Sequence, residues 1–259
     1  MTVVNCKGMR DYGPEEMRKF RFIEDTFRGV AANWGYREVR TPTLEYLHLF
    51  TSMGTLTPGM LRRVYSFLDW DGWSGERVVL RPDVTIPVAR MYIAEESPPR
   101  PAKYYYVTNV FRFEPTGEKD RERWQCGVEL IGVSSAAADA ELVQIALAAL
   151  RGIGLKKLTL RLSHAGLIRG LLRGMGLEGS AQTELFDAVL EGDGAALARI
   201  DAARPELGRA LKSLLDLTGK SSGFLKNFRA TYAANLPEIE SALQDFITAA
   251  DLFEALGAD

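Results

Sequence analysis

The feature that most constrains the fold is a pair of strongly β-prone segments, residues 110–114 and 124–131, on either side of a charged loop. Both segments carry aromatic and β-branched side chains, which favour the pleated, half-buried surface of a strand. Two such runs separated by a polar connection are typical of an antiparallel hairpin. The chain is therefore expected to contain a long hairpin whose loop covers residues 115–123.

Polar side chains are embedded in these two apolar segments. Because side chains alternate along a strand, Arg112 and Glu114 would share one face of the first segment. By the same rule Gln125, Gly127 and Glu129 would share one face of the second segment. Pairing of the strands could then bring the four polar side chains together, where burial without partners is costly. From the residues alone, both a self-satisfied network and a binding site are open interpretations.

A second polar group surrounds Pro82, just before a predicted helix over residues 85–93. Arg81 and Asp83 flank the proline, and Thr85 opens the helix. Acidic and hydroxyl side chains are common at helix starts, where they accept hydrogen bonds from free backbone N–H groups. A capped turn would explain these residues by itself, and a contribution to a binding site is the other interpretation.

The composition excludes several classes of protein. Of the 259 residues 46% are hydrophobic, enough for one large domain or one with a small companion, and the net charge of −2 argues against strong non-specific attraction to nucleic acid. The two cysteines, Cys6 and Cys126, form no Cys-x-x-Cys pair, so we expect no disulfide scaffold and no metal site. The two histidines, His48 and His164, lie far apart in the sequence, and we interpret each as a surface or core-edge residue. No segment is typical of a signal peptide or a membrane span, so we predict a soluble cytoplasmic protein.

The two halves of the chain differ in composition. Residues 1–133 hold all four tryptophans and most of the tyrosines and prolines, whereas residues 134–259 are rich in Ala, Leu and Gly. We predict a sheet-containing domain over residues 1–165 and a mainly helical region over residues 166–259. Strands followed by helices in this order indicate an α+β fold with an antiparallel sheet.

Local patterns predict the individual elements. Pro14, the acidic residues after it and Gly35 mark the two ends of a first helix. Further strands are predicted over residues 36–41, 65–69, 77–80, 104–107 and 158–162, with a turn at Asp71-Gly72. Further helices are predicted over residues 138–152, 166–175, 181–190, 194–200, 205–217 and 237–256.

Several segments resemble the histidyl-tRNA synthetase family. Residues 8–14 (GMRDYGP) are similar to its N-terminal signature, and residues 35–42 (GYREVRTP), with Leu44-Glu45, are similar to class II motif 1. Residues 80–85 (LRPDVT), continuing to Ala89-Arg90, resemble the amino-acid-recognition segment. Residues 111–114 (FRFE) and 125–132 (QCGVELIG) resemble motif 2. These matches follow one another in order over about half of the chain and are jointly specific.

The resemblance implies a class II aminoacyl-tRNA synthetase-type fold, with an antiparallel sheet flanked by helices, and a homodimer built on motif 1. It also implies a histidine site formed by Asp83, Thr85, Arg112, Gln125 and Glu129. The chemistry is consistent, since a pair of carboxylates can hold an ammonium group and a guanidinium suits phosphate or carboxylate. A nucleotide site retained as a relic would use Arg112, Glu114 and Arg121.

The chain also departs from the synthetase pattern. Asp83 stands where synthetases carry glutamate, and Arg123 stands where an aromatic residue would pack on adenine. We find no Arg-Gly-x-x-Tyr-Tyr segment, no motif 3 and no anticodon-binding domain in this sequence. Without the motif 3 arginine, a phosphoryl-type transition state loses a main cationic partner.

These departures favour a paralogue of the synthetases, the regulatory subunit of ATP phosphoribosyltransferase, which serves histidine biosynthesis. This interpretation predicts no catalytic residues, no activity by the chain alone and no cofactor. It predicts a short-form catalytic subunit as the protein partner and histidine as the ligand, with no role for tRNA or a membrane. The alternatives are a truncated or split histidyl-tRNA synthetase that activates histidine with ATP, and another class II paralogue.

Overall fold

A computed structural model describes residues 4–52, 63–70, 75–116, 119–174, 176, 179–190, 192–215 and 221–257. The chain divides into two compact units. The first comprises Met1–Val133 with Leu142–Lys156, and the second comprises Ser134–Glu141 with Lys157–Asp259. Within the described ranges, no helix has the length and apolar character needed to cross a membrane.

The first unit is built from short strands, one long hairpin and a few helices. In chain order its elements are α1 (Pro14–Asn33), β1 (Arg37–Glu38), β2 (Leu44–Tyr46), α2 (Leu47–Ser52), β3 (Ser66–Trp70), β4 (Gly75–Leu80), α3 (Thr85–Ala94), β5 (Ala102–Phe111) and β6 (Glu122–Ile131). The next helix, α4 (Ala136–Gly152), has residues in both units.

The described strands form two three-stranded sheets, with the orders β1-β5-β6 and β2-β4-β3. The predicted hairpin is confirmed, since β5 and β6 pair antiparallel from Ala102 opposite Ile131 to Phe111 opposite Glu122. β1 pairs parallel to β5, which places Arg37 opposite Tyr104. The sheet is therefore mixed at its β1 edge and antiparallel across the hairpin.

Alternation along β5 divides the core of this unit between the two faces of the hairpin. On one face Tyr105 and Val107 pack with Phe27 and Ala31 of α1. On the other face Tyr104 and Tyr106 belong to a separate cluster with residues at the start of α3. The polar residues of the candidate site lie on this second face.

The second unit is helical throughout its regular structure. Its elements after α4 are α5 (Ala165–Arg173), α6 (Gly179–Leu190), α7 (Gly194–Ala203), α8 (Pro205–Leu215), α9 (Ser221–Tyr232), a 3-10 turn (Pro237–Ile239) and α10 (Glu240–Ala255). One apolar core joins them, and Leu171, Ile200, Leu211 and Leu243 are fully buried in it. The helices predicted in this half are present, with ends that differ by a few residues.

Several element predictions are wrong. Residues 158–162 form no strand, because none of the described strands pairs with them. Two helices, α2 and α9, were not predicted. The strand predicted over residues 110–114 ends at Phe111, because the N–H of Phe113 bonds to the carbonyl of Arg63 instead of continuing the ladder. The predicted turn at Asp71-Gly72 lies outside the described residues.

Candidate functional site

The register of the hairpin sets the candidate site. Tyr106 lies opposite Gly127, and Gln125 and Glu129 lie two residues to either side of that glycine on β6. Residues directly opposite each other in an antiparallel pair share a face of the sheet. Gln125, Tyr106 and Glu129 are therefore neighbours on one face.

The Tyr106 hydroxyl connects these side chains. Gln125 Nε2 donates to the Tyr106 oxygen at 3.0 Å, and the Tyr106 hydroxyl donates to Glu129 Oε1 at 3.2 Å. Thr85, the first residue of α3, donates from Oγ1 to the same Glu129 oxygen at 2.8 Å. We call these four residues, Thr85, Tyr106, Gln125 and Glu129, the Tyr106 cluster.

Gly127 makes room for the tyrosine ring. A Cβ atom at this position would stand only 2.3 Å from the Tyr106 ring and hydroxyl oxygen. No carbon atom can approach so closely, so any larger residue would push the ring away from Gln125 and Glu129. The glycine in the middle of the polar face thus serves the geometry of the cluster.

Asp83 lies beside the cluster, two residues before the start of α3. Its Oδ1 accepts a hydrogen bond from the N–H of Ile86 at 3.0 Å, so the capped turn is present. Its charge also acts on Glu129 and on Tyr106, raising the pKa of both. Asp83 is therefore both a capping residue and a second carboxylate of the site.

Burial and charge determine the protonation of the cluster. Burial raises the pKa of Glu129, hydrogen bonds from Thr85 and Tyr106 lower it, and the nearby Asp83 raises it again. Burial also raises the pKa of the Tyr106 hydroxyl, and the charge of Glu129 adds to this, so the phenol stays protonated. Two carboxylates in a half-buried place repel each other and favour a bound cation.

Arg81 has a structural role next to the site. It is 2% exposed, and its Nη1 donates to the carbonyls of Thr41 at 2.8 Å and Pro42 at 3.0 Å. Its Nε and Nη2 bond to the carbonyl and side-chain oxygens of Asn109 at 2.8 and 2.9 Å, and Nη2 also contacts Thr108. The guanidinium thus joins the turn before α3 to β5 and to the segment before β2.

The residues expected at the relic nucleotide site lie at the end of the hairpin. Arg112 donates from Nε to the carbonyl of Pro82 at 2.9 Å, so it contacts the turn that carries Asp83. Glu114 accepts from Thr116 Oγ1 at 2.7 Å. Arg121 donates from Nε to the carbonyl of Glu114 at 2.8 Å. Because β5 ends at Phe111, the expectation that Arg112 and Glu114 share one strand face is wrong.

Three of the residues expected at the histidine site, Thr85, Gln125 and Glu129, are joined by hydrogen bonds around Tyr106, which the sequence did not single out. The signal was the glycine between two polar residues on one face of β6, which indicates close approach by a side chain of the neighbouring strand. Among the described residues, no three His, Cys, Asp or Glu side chains are grouped so that they could hold a metal ion.

A family model described as histidyl-tRNA synthetase matches residues 8–259. The chain belongs to the histidyl-tRNA synthetase family. The match includes both units of the structure and all of the segments that resemble the signature, motif 1 and motif 2.

Relatives within the histidyl-tRNA synthetase family carry two names. A Dehalococcoides mccartyi protein named ATP phosphoribosyltransferase regulatory subunit is 51% identical over 98% of this chain and 62% of the relative. A histidine–tRNA ligase of Archaeoglobus fulgidus is 40% identical over 86% of this chain and 54% of the relative. The chain thus spans less than two thirds of the length of these relatives.

Solved structures of the histidyl-tRNA synthetase family share the fold. A Bacillus halodurans protein described as an ATP phosphoribosyltransferase regulatory subunit/histidyl-tRNA synthetase superposes with a TM-score of 0.84 at 27% identity. The superposition covers 100% of this chain and 66% of that protein. A histidyl-tRNA synthetase of Nostoc sp. gives a TM-score of 0.75 at 16% identity, which supports the fold alone. The class II synthetase-type α+β fold predicted from the sequence is confirmed.

Proposed function

We propose that this chain is a non-catalytic regulatory subunit of ATP phosphoribosyltransferase and acts in histidine biosynthesis. The observation that carries the proposal is its 51% identity, over 98% of the chain, to a relative with that name. Its macromolecular partner is a short-form catalytic subunit. The net charge of −2 supports a protein partner rather than tRNA, since it supplies no excess of basic side chains for phosphates.

The ligand in this proposal is histidine, held at the Tyr106 cluster together with Asp83 and Arg112. Glu129 and Asp83 supply negative charge for the ammonium group, and charge-assisted hydrogen bonds of this kind are among the strongest in proteins. The Arg112 guanidinium contacts the Pro82 carbonyl through Nε, at the turn that carries Asp83. A zwitterion needs both kinds of partner, and the two lie on adjoining segments of the first unit.

The nucleotide site is proposed to be a relic. Arg121 is engaged within the protein, because its guanidinium stacks over the Phe113 ring at 4.6 Å and donates to the Glu114 carbonyl. The Glu114 carboxylate accepts hydrogen bonds from the backbone and side chain of Thr116. Binding of ATP in the synthetase manner would have to replace these contacts, which supports a role without adenylation chemistry.

A histidine–tRNA ligase is the second candidate, favoured by the 40% identity to the Archaeoglobus fulgidus enzyme. The two candidates differ in one measurable reaction. A ligase catalyses histidine-dependent exchange between ATP and pyrophosphate, whereas the regulatory subunit acts through its partner.

We also place the protein in the cytoplasm, because Cys6 and Cys126 are both free thiols, as in a reducing compartment.

We further propose a homodimer formed through α1 and the segment that leads to Pro42. Phe22 and Ile23 on α1 are 55% and 44% exposed, which supports the proposal because contiguous exposed apolar side chains mark interaction surfaces. Light scattering should give twice the mass of one chain. The variant Ile23→Glu should give a monomer, because a buried charge opposes association. Thr231→Glu, on an exposed position of α9, should remain dimeric, and a monomeric parent chain would contradict the proposal.

A further inference from the structure

The Tyr106 hydroxyl has one proton, and its two hydrogen-bond partners determine to which of them it donates. The hydroxyl donates to Glu129 Oε1 at 3.2 Å, so its oxygen is left to accept from Gln125 Nε2 at 3.0 Å. Ionised Glu129 can only accept hydrogen bonds. The direction of both bonds is therefore set by the pairing of a phenol with a carboxylate.

This direction fixes the orientation of the Gln125 amide. With Nε2 bonded to Tyr106, the amide carbonyl Oε1 points away from the tyrosine. Glu129 Oε2 and Asp83 Oδ2 take part in no hydrogen bond within the described part of the chain. The atoms left for a ligand on this face are thus three oxygen acceptors, from Gln125, Glu129 and Asp83.

We propose that Tyr106 is a specificity-determining positioning residue, which turns the Gln125 amide so that this face of the hairpin presents only acceptors to the ligand and selects ligands that carry an ammonium group. The inference rests on the proposed histidine site and adds to it the residue that determines which hydrogen-bonding atoms face the ligand. Tyr106 does not need to touch the ligand, because it acts through Gln125 and Glu129. Gly127 contributes to the same arrangement, since the absence of a side chain leaves the space that the Tyr106 ring occupies.

The test is calorimetric titration of the full chain with L-histidine and with 3-(imidazol-4-yl)propionate, which lacks only the ammonium group. The parent should bind histidine and discriminate strongly against the propionate. Tyr106→Phe should weaken histidine binding about tenfold, as loss of a hydrogen bond to a charged group does. The preference for histidine over the propionate should shrink as well, because the freed amide can turn its NH2 group to the ligand. A structural role alone would lower both affinities equally and leave the preference unchanged.

Tyr105→Phe is the matched control. The Tyr105 hydroxyl lies on the opposite face of β5 and contacts Glu38 at 3.4 Å, so both affinities should stay within about twofold of the parent values. Should Tyr106→Phe fail to fold, Gln125→Met serves instead, since it removes the acceptor and leaves the tyrosine. In that variant histidine binding should fall while propionate binding is unchanged. An unchanged preference in the tested variant overturns the inference.

The outcome for Tyr106 can be separated from the outcome for the proposed function. A parent chain that activates a catalytic subunit but binds no histidine overturns the ammonium-selective site and leaves the regulatory function standing. A parent chain that shows the predicted preference but neither binds nor activates a catalytic subunit supports the role of Tyr106 and overturns the regulatory function.

Discussion

Replacing Arg81 with methionine is expected to lower the free energy of unfolding by about 3 kcal/mol or more. The reason is that Arg81 is buried and supplies donors to five oxygens, on Thr41, Pro42, Thr108 and Asn109. Methionine has a similar length but no donor. Buried acceptors that lose their partners carry the full cost of desolvation.

Urea denaturation followed by circular dichroism measures this effect. Arg77→Met is the matched control, because Arg77 lies on β4 four residues earlier, is exposed and bonds to Ser66 at 3.2 Å. The control should change the free energy of unfolding by less than about 1 kcal/mol. Equal effects of the two substitutions would show that the Arg81 contacts do not stabilise the fold.

The second large effect is expected for Glu129→Gln, which should weaken histidine binding about tenfold or more. Glutamine keeps the shape of the side chain and can still accept from Thr85 and Tyr106, but it removes the charge that pairs with an ammonium group. Glu122→Gln is the control, since Glu122 lies on the same strand, faces the other way and bonds to Asn109 at 2.7 Å. Unchanged histidine affinity in Glu129→Gln would mean that the cluster is a self-satisfied network.

The pH dependence of binding provides a second measurement on the same residue. Because burial raises the pKa of Glu129, its carboxylate takes up a proton at a higher pH than an ordinary glutamate does. Protonated Glu129 is neutral and cannot pair with a cation, so histidine affinity should fall as the pH drops through this raised pKa. Glu129→Gln should lack that step, and an identical pH profile in the variant would assign the step to another group.

The hairpin and the common face of Gln125 and Glu129 could be predicted from the sequence, because alternation along a strand is a local rule. Tyr106 could not be placed in the same way. Its position opposite Gly127 depends on the register between strands, which local patterns do not determine. Residues 104–107 and 110–114 were also predicted as separate strands, whereas the ladder with β6 carries β5 through Thr108 and Asn109 without interruption.

Tertiary contacts account for the other features of the structure that could not be predicted from the sequence. The acceptors of Arg81 come from residues 41, 42, 108 and 109, so its role could not be read from its own segment. The helix α9 forms although its sequence holds a glycine and several aromatic residues, because Leu225 and Phe228 are buried in the helical core. Packing of this kind commonly overrides local propensity.

We propose that this chain regulates a catalytic partner and is not itself a ligase. The most direct measurement is the initial rate of phosphoribosyl transfer to ATP by a short-form catalytic subunit, with and without an equimolar amount of the chain. A regulatory subunit should raise the rate when it is present, and the chain alone should show no histidine-dependent ATP–pyrophosphate exchange. A transfer rate that does not change, together with exchange that increases with histidine, would contradict the regulatory function and identify a histidine–tRNA ligase.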